Sequence, residues 1–249
     1  MATKKLSILF MKDGFSFCIL KDKALIHAEK IVCEPPLNSS YYEVLNQKLQ
    51  QQIYLNQTYD QIQVAYLGNQ FNIIPNAYFE QDNDAQKWLE FNAEVFEGDQ
   101  IQTCDLQHAE AKLVYAYPQE IAEIVKTKFN DVPVKSGSEL FINSLAIVGD
   151  QAQLFLNVHP AQIEILVYKD QKLQLYNIFE ISTKEDIVYY VLNGIKQLDL
   201  DPNTVEVYYF GWETEDPNLK MLMNFVRHVM PGTSEIMELK YYTETQNLV

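Results

Sequence analysis

Basic residues are scarce in this sequence. Lys and Arg together number 19 against 34 Asp and Glu, which sets the formal charge at −15. Residues 1–150 carry −8 of that charge and the remainder −7, so the acidity belongs to both halves and is not a tail. A duplex- or RNA-binding surface needs Lys and Arg to neutralise phosphates. The chain shows no basic patch, and direct nucleic-acid binding is not expected. Cysteine is also sparse. Cys18, Cys33 and Cys104 are an odd number without C-x-x-C spacing, which predicts free, buried thiols. No apolar stretch is long enough for a signal peptide or a membrane span. Membrane insertion is therefore not expected, and the cytoplasm is the simplest compartment. His27, His108, His159 and His228 stand apart from one another, with no His-x-x-x-His spacing for zinc. Walker and Gly-x-Ser-x-Gly patterns are missing. No metal and no cofactor are expected.

What is present reads as a globular α/β chain. Hydrophobic residues make up 47%, and 16 Tyr and 13 Phe suit sheets. The strongest signal is an internal repeat. At an offset of 148 residues, Leu6 meets Leu154, Ile8 meets Leu156 and Phe10 meets Val158. Phe15, Phe17 and Ile19 then meet Ile163, Ile165 and Val167, and Lys21-Asp22 meets Lys169-Asp170. The matches fall on alternate residues, the period of a strand. They predict three antiparallel strands over 5–11, 14–20 and 24–32, with copies over 152–158, 162–168 and 172–180. Asp13-Gly14 is a hairpin turn signal. The frame then shifts by five residues and a helical spacing resumes, with Val44, Leu45 and Leu49 against Ile187, Val188 and Leu192. Ser40-x-x-Glu43 and Ser182-x-x-Glu185 both carry the pattern of a capping box. A short strand follows each helix, Val64–Gly68 and Val207–Gly211.

Beyond the first copy the sequence predicts a strand near 70–74, an acidic helical stretch over Asp84–Phe96, a strand over 112–116, a helix over 118–129, a strand near 132–136 and a helix over 138–147. Pro118 suits a first helical turn. Beyond the second copy it predicts a helix over 216–229 and a strand over 235–241. Two domains follow, 1–149 and 150–249. Residues 71–110 have no counterpart in the second and read as an acidic insertion. Glu80 to Glu110 holds nine acids and one Lys, a pattern of a solvated helical face or of a docking surface for a basic partner.

Three strands, a helix, a strand, a helix and a strand make up the ribonuclease H-like unit. Two such βββαβαβ units in tandem resemble the actin-like ATPase fold. Leu113–Ile147 resembles the matching stretch of pilus assembly ATPase-like proteins. Tyr176–Tyr190 (Tyr-Asn-Ile-Phe-Glu-Ile-Ser-Thr-Lys-Glu-Asp-Ile-Val-Tyr-Tyr) with Leu198-Asp-Leu-Asp-Pro202 resembles DUF3822, a family of uncharacterised bacterial proteins, along the whole chain. That resemblance implies an actin-like fold and no established activity. The family's gene neighbourhood, beside a small-subunit rRNA methyltransferase, implies an accessory role in rRNA modification through a protein partner.

Actin-like ATPases hold phosphate at a hairpin in each half, where an Asp-x-Gly pattern supplies a metal-ordering acid and open backbone N–H groups. Here the first hairpin reads Phe10-Met-Lys-Asp13-Gly14, with Asp and Gly adjacent. The second reads Asn157-Val-His159-Pro160-Ala161, with neither Gly nor acid, and Pro160 lacks an N–H. His159 reads as a turn residue. After the strand that follows the central helix, Gly211 precedes Trp212, whose ring is expected either to fill room that a nucleoside needs or to stack on a ligand. The first strands, Leu6–Met11 and Leu154–Val158, hold no acid for two-metal nuclease chemistry. The expectation is a non-catalytic, pseudo-ATPase module that binds another protein. Two alternatives stand beside it: a nucleotide-dependent switch using Asp13, Gly14, Asn157 and Gly211, and the accessory factor implied by the resemblance. No catalytic residue is assigned.

Overall fold

The computed structural model describes residues 3–22, 24–33, 41–183, 185–212 and 215–232. The chain divides into two compact units, Met1–Phe141 and Ile142–Val249.

In the first unit, β1 (Lys4–Met11), β2 (Gly14–Lys21) and β3 (Ala24–Val32) form an antiparallel meander. The helix α1 (Tyr41–Gln51) then carries the chain over to β4 (Gln61–Tyr66), which pairs parallel to β1. A parallel neighbour needs such a crossover, whereas antiparallel neighbours need only a turn. Leu6, Ile8, Phe10, Phe15, Phe17 and Ile19 are buried, as are Leu45 and Leu49 of α1. Burying each such side chain stabilises the fold by about 1.5–3 kcal/mol. Both faces of β1 and β2 are covered, while the edge strand β3 is largely exposed.

A second sheet grows from the end of β4. The strands β5 (Phe71–Pro75), β6 (Gln100–Leu106) and β7 (Ala111–Tyr117) lie in the order β5-β7-β6, all antiparallel. The short helices α2 (Asn76–Phe79) and α3 (Ala85–Glu90) fill the space between β5 and β6 in the chain, and a small core forms around Leu89, Val114 and Ala116. The extra layer thus reaches to Tyr117, because β7 pairs with the insertion strands. The acidic helix is also shorter than the expected 84–96. Asp84 caps its start by accepting from the N–H of Lys87 at 3.2 Å, and turns replace it after Glu90. Then α4 (Gln119–Phe129), β8 (Val134–Ser136) and α5 (Gly137–Asn143) complete the order β3-β2-β1-β4-β8.

The second unit repeats this plan. Its strands are β9 (Gln153–Val158), β10 (Gln162–Lys169) and β11 (Lys172–Glu180), then α6 (Glu185–Gln197), β12 (Glu206–Phe210), α7 (Pro217–Leu222) and β13 (His228–Pro231), in the sheet order β11-β10-β9-β12-β13. The 148-residue offset survives in backbone detail. A bulge lies between Ile19 and Leu20 in β2 and between Val167 and Tyr168 in β10. Asp22 and Asp170 both take a left-handed conformation, at φ 53° and 52°, which Asp tolerates better than most residues.

One expectation at the end of the chain is corrected. The helix stops at Leu222 instead of running to 229, and the final described strand is His228–Pro231. The expected strand over 235–241 lies outside the described residues, as does Ser40 of the first capping box. At the second box the capping acid is Asp186 and not Glu185. Its carboxylate accepts the N–H groups of Ser182 and Thr183 at 2.9 and 2.8 Å. Cys18 and Cys33 are buried, but Cys104 is only partly buried. Among the described residues no helix is long and apolar enough to cross a membrane.

Candidate functional site

The first hairpin is held by its own neighbours. The Asp13 carboxylate lies 3.3 Å from Lys30 Nζ, and the Asp13 carbonyl accepts the N–H of Cys33 at 2.7 Å. Burial lowers the Lys30 pKa, and the facing Asp13 charge pulls part of that back. Asp13 therefore already has a cation. Gly14 sits at φ +147°, and a Cβ there would lie 2.0 Å from the carbonyl oxygen of Ile31. The close approach of β3 accounts for that glycine. From α1, the Tyr41 hydroxyl donates to the Met11 carbonyl at 2.8 Å and closes the end of β1.

The second hairpin has turned its polar groups inward. Glu164, 1% exposed, accepts from Asn157 Nδ2 and from the Tyr176 hydroxyl, each at 2.6 Å, and His159 Nε2 lies 3.0 Å away. His159 does stand in the turn, its N–H donating to the Gln162 carbonyl at 2.9 Å, but its ring is buried with Glu164. Asn157 Oδ1 and Gln162 Nε2 are buried without a hydrogen-bond partner among the described residues. Gly211, at φ +75°, follows Phe210, which pairs with Asn157 in the ladder. The structure thus places Asn157 and Gly211 at one end of one sheet, and Asp13 and Gly14 together in the other unit. Trp212 packs on the core of the second unit, edge-on to Tyr209 with ring centroids 6.4 Å apart.

A cavity of about 780 Å³ opens in the first unit, just beyond the carboxyl end of β4. Open α/β sheets bind ligands at that end of their parallel strands, and the volume lies in the range of small-molecule and side-chain pockets. Among the described residues five carboxylates line it: Glu94, Glu97 and Asp99 from the turns after α3, and Glu120 and Glu123 from the first turns of α4. Among the described residues Lys, Arg and His are missing from the lining. Among the described residues none of the five acids forms an ion pair. Asp99 accepts from Gln70 Nε2 at 3.0 Å and from the N–H of Phe96 at 2.9 Å, and Glu123 accepts from Gln119 Nε2 at 2.8 Å.

Tyr42, Tyr66 and Phe96 give the cavity its aromatic surface. Burial, helped by Glu120 and Asp99, pushes the Tyr42 hydroxyl up to about 12, and Tyr66 is raised by burial, Tyr42 and Asp99. Both stay neutral hydrogen-bond donors at ordinary pH. Sequence reasoning singled out the acidic run 80–110 but not its meeting with Tyr42, Glu120 and Glu123. The only hint was the Gln-Glu-x-x-Glu run opening α4.

A family model for a protein of unknown function, DUF3822, matches residues 1–229. The chain belongs to that family. No curated protein matches the sequence. Among solved structures, a Bacteroides thetaiotaomicron protein with actin-like ATPase fold and unknown function is similar at TM-score 0.72 and 21% identity, over 92% of this chain and 90% of that one. A PilM–PilN type IV pilus biogenesis complex gives TM-score 0.56 at 11% identity, over 98% of each chain. The cytoplasmic domain of EpsL, an inner membrane component of the type II secretion system of Vibrio cholerae, gives 0.54 at 11%, over 99% of this chain and 96% of that one. This DUF3822 protein therefore has the actin-like ATPase fold, as its repeat predicts.

Proposed function

We propose that this protein is an actin-like module that works by holding another protein and does not turn over nucleotide. The observation that carries this reading is the state of the two hairpins. Where an actin-like ATPase would present phosphate ligands, this chain spends Asp13 on Lys30 and buries Asn157 and His159 against Glu164. The acid-lined cavity supports it from the other side. Two like unit charges roughly 4 Å apart near a protein surface repel by about 4 kcal/mol, so five carboxylates disfavour a phosphate chain there. Two proteins of similar fold, PilM in its complex with PilN and EpsL in a secretion system, are components of assemblies. They support a binding role by analogy of fold.

A thermal-shift titration with Mg-ATP, Mg-ADP and Mg-GTP tests the reading. A ligand confined to the folded state, at 100 times its Kd, adds about 2.7 kcal/mol of stability. The expected result is an unchanged melting temperature at millimolar nucleotide. A saturable rise would make the protein a nucleotide switch and overturn the proposal.

A further inference from the structure

We infer that the cavity beyond β4 is the docking site for a Lys- or Arg-bearing segment of the partner polypeptide. This rests on the reading of the protein as a protein-binding module, and adds to it a place and a chemistry. Three observations converge on the cavity. It is roomy enough, at about 780 Å³, to take long side chains. Its walls carry the charge of Glu94, Glu97 and Glu120, which have no cation of their own among the described residues. Its surface also offers aromatic rings. Phe96 is 59% exposed, and nearby Phe91, 65% exposed, meets Trp88 with ring centroids 5.6 Å apart.

Carboxylates beside aromatic faces form a setting that recognises an ammonium or guanidinium group. The acids supply charge-assisted hydrogen bonds, and the rings attract the cation through their quadrupole and cover the aliphatic stem. A phosphate, a carboxylate ligand or an acidic peptide is repelled by the same walls. A polypeptide is the occupant favoured over a small cation because exposed rings, Phe96 in the lining and Phe91 beside Asn92 of the lining, accompany the charged walls. Apolar contact next to the basic residue is what they can use.

The test uses the full chain and a fluorescein-labelled peptide alternating Lys and Leu, followed by fluorescence anisotropy at low salt. One variant combines Glu94→Gln, Glu97→Gln and Glu120→Gln. A second removes the same charge elsewhere, with Glu80→Gln, Glu110→Gln and Glu185→Gln. Melting temperatures of both variants confirm that they fold.

The expected result is saturable binding, weakened tenfold or more by the cavity variant and less than threefold by the other. Raising salt to about 0.5 M should weaken it further, because screening shortens the reach of exposed charges. Equal loss in both variants means diffuse attraction to an acidic protein and overturns the site. So does a wild-type chain that ignores the peptide. Tighter binding of spermine than of the peptide overturns the polypeptide occupant. None of these results restores nucleotide binding. The docking site can therefore fail while the protein-binding reading stands, and a nucleotide-induced thermal shift would instead remove that reading itself.

Discussion

Glu164 is buried among Asn157, His159 and Tyr176, and all three polar contacts converge on its carboxylate. Replacing one member of a buried charged network leaves the others unsatisfied, and the penalty exceeds the net worth of any single bond. Glu164→Leu strands the buried Asn157 Nδ2 and His159 Nε2. The expected loss is about 3 kcal/mol or more, read from urea unfolding. A loss below about 1 kcal/mol would show that the network is dispensable. At this scale the sequence was only half informative. Asn157 and His159 stood out as unsuited to phosphate, but nothing in a linear pattern says that Glu164, seven residues after Asn157, faces the same side. That follows from the ladder, which pairs Asn157 with Glu164 directly. The carboxylates of the cavity were hidden for a similar reason. Asp99 and Glu120 are separated in the chain by two whole strands, β6 and β7, and only the fold brings them together around Tyr42.

At the level of elements, the meanders were legible because period-two burial, adjacent turns and a repeated register all agree. The C-terminal helix was not. Met221, Met223, Phe225 and Val226 extend an apolar pattern without a breaking residue, and sequence alone runs the helix on. In the structure the N–H groups of Met223 and Val226 close back on Leu219 and Leu222, and that of Arg227 is taken by the carbonyl of Pro202 from the loop before β12. A tertiary partner there decides where the helix ends. The companion helix α6 offers a cleaner test of local rules. Gly194 is buried in its interior, and a Cβ added there would meet only Leu175 Cδ2, at 3.8 Å. Ordinary contact with no overlap means that the helix penalty of glycine is recoverable. Gly194→Ala is expected to stabilise the protein by about 0.5–1 kcal/mol in the same urea assay. A loss would mean that the neighbouring β11 cannot accept a methyl group.

For the whole molecule, the abundance of tyrosine sets its response to alkali. Tyr41, Tyr115 and Tyr168 are 2%, 7% and 1% exposed. Burial raises all three hydroxyl pKa values, that of Tyr168 to about 12 and the other two further. A raised folded value contributes stability that is complete below the unfolded value near 10 and is lost as pH climbs above it. Each of the three therefore removes about 1.4 kcal/mol per pH unit above pH 10. Three together lose about 4 kcal/mol per unit, against a typical total of 5–15 kcal/mol. Circular dichroism and tyrosine absorbance should change together in one steep transition between about pH 10 and 12. Absorbance that titrates gradually while the circular dichroism holds would contradict this.

The shared bulge and the paired left-handed aspartates carry a consequence of another kind. The ladder position that pairs Leu9 with Ser16 in one unit pairs Asn157 with Glu164 in the other, on the same chain trace. A leucine–serine pair and an amide–carboxylate pair thus occupy the same position of the same ladder. The hairpin is an interchangeable socket. Its partners differ between the two copies while the strand pairing around them stays the same.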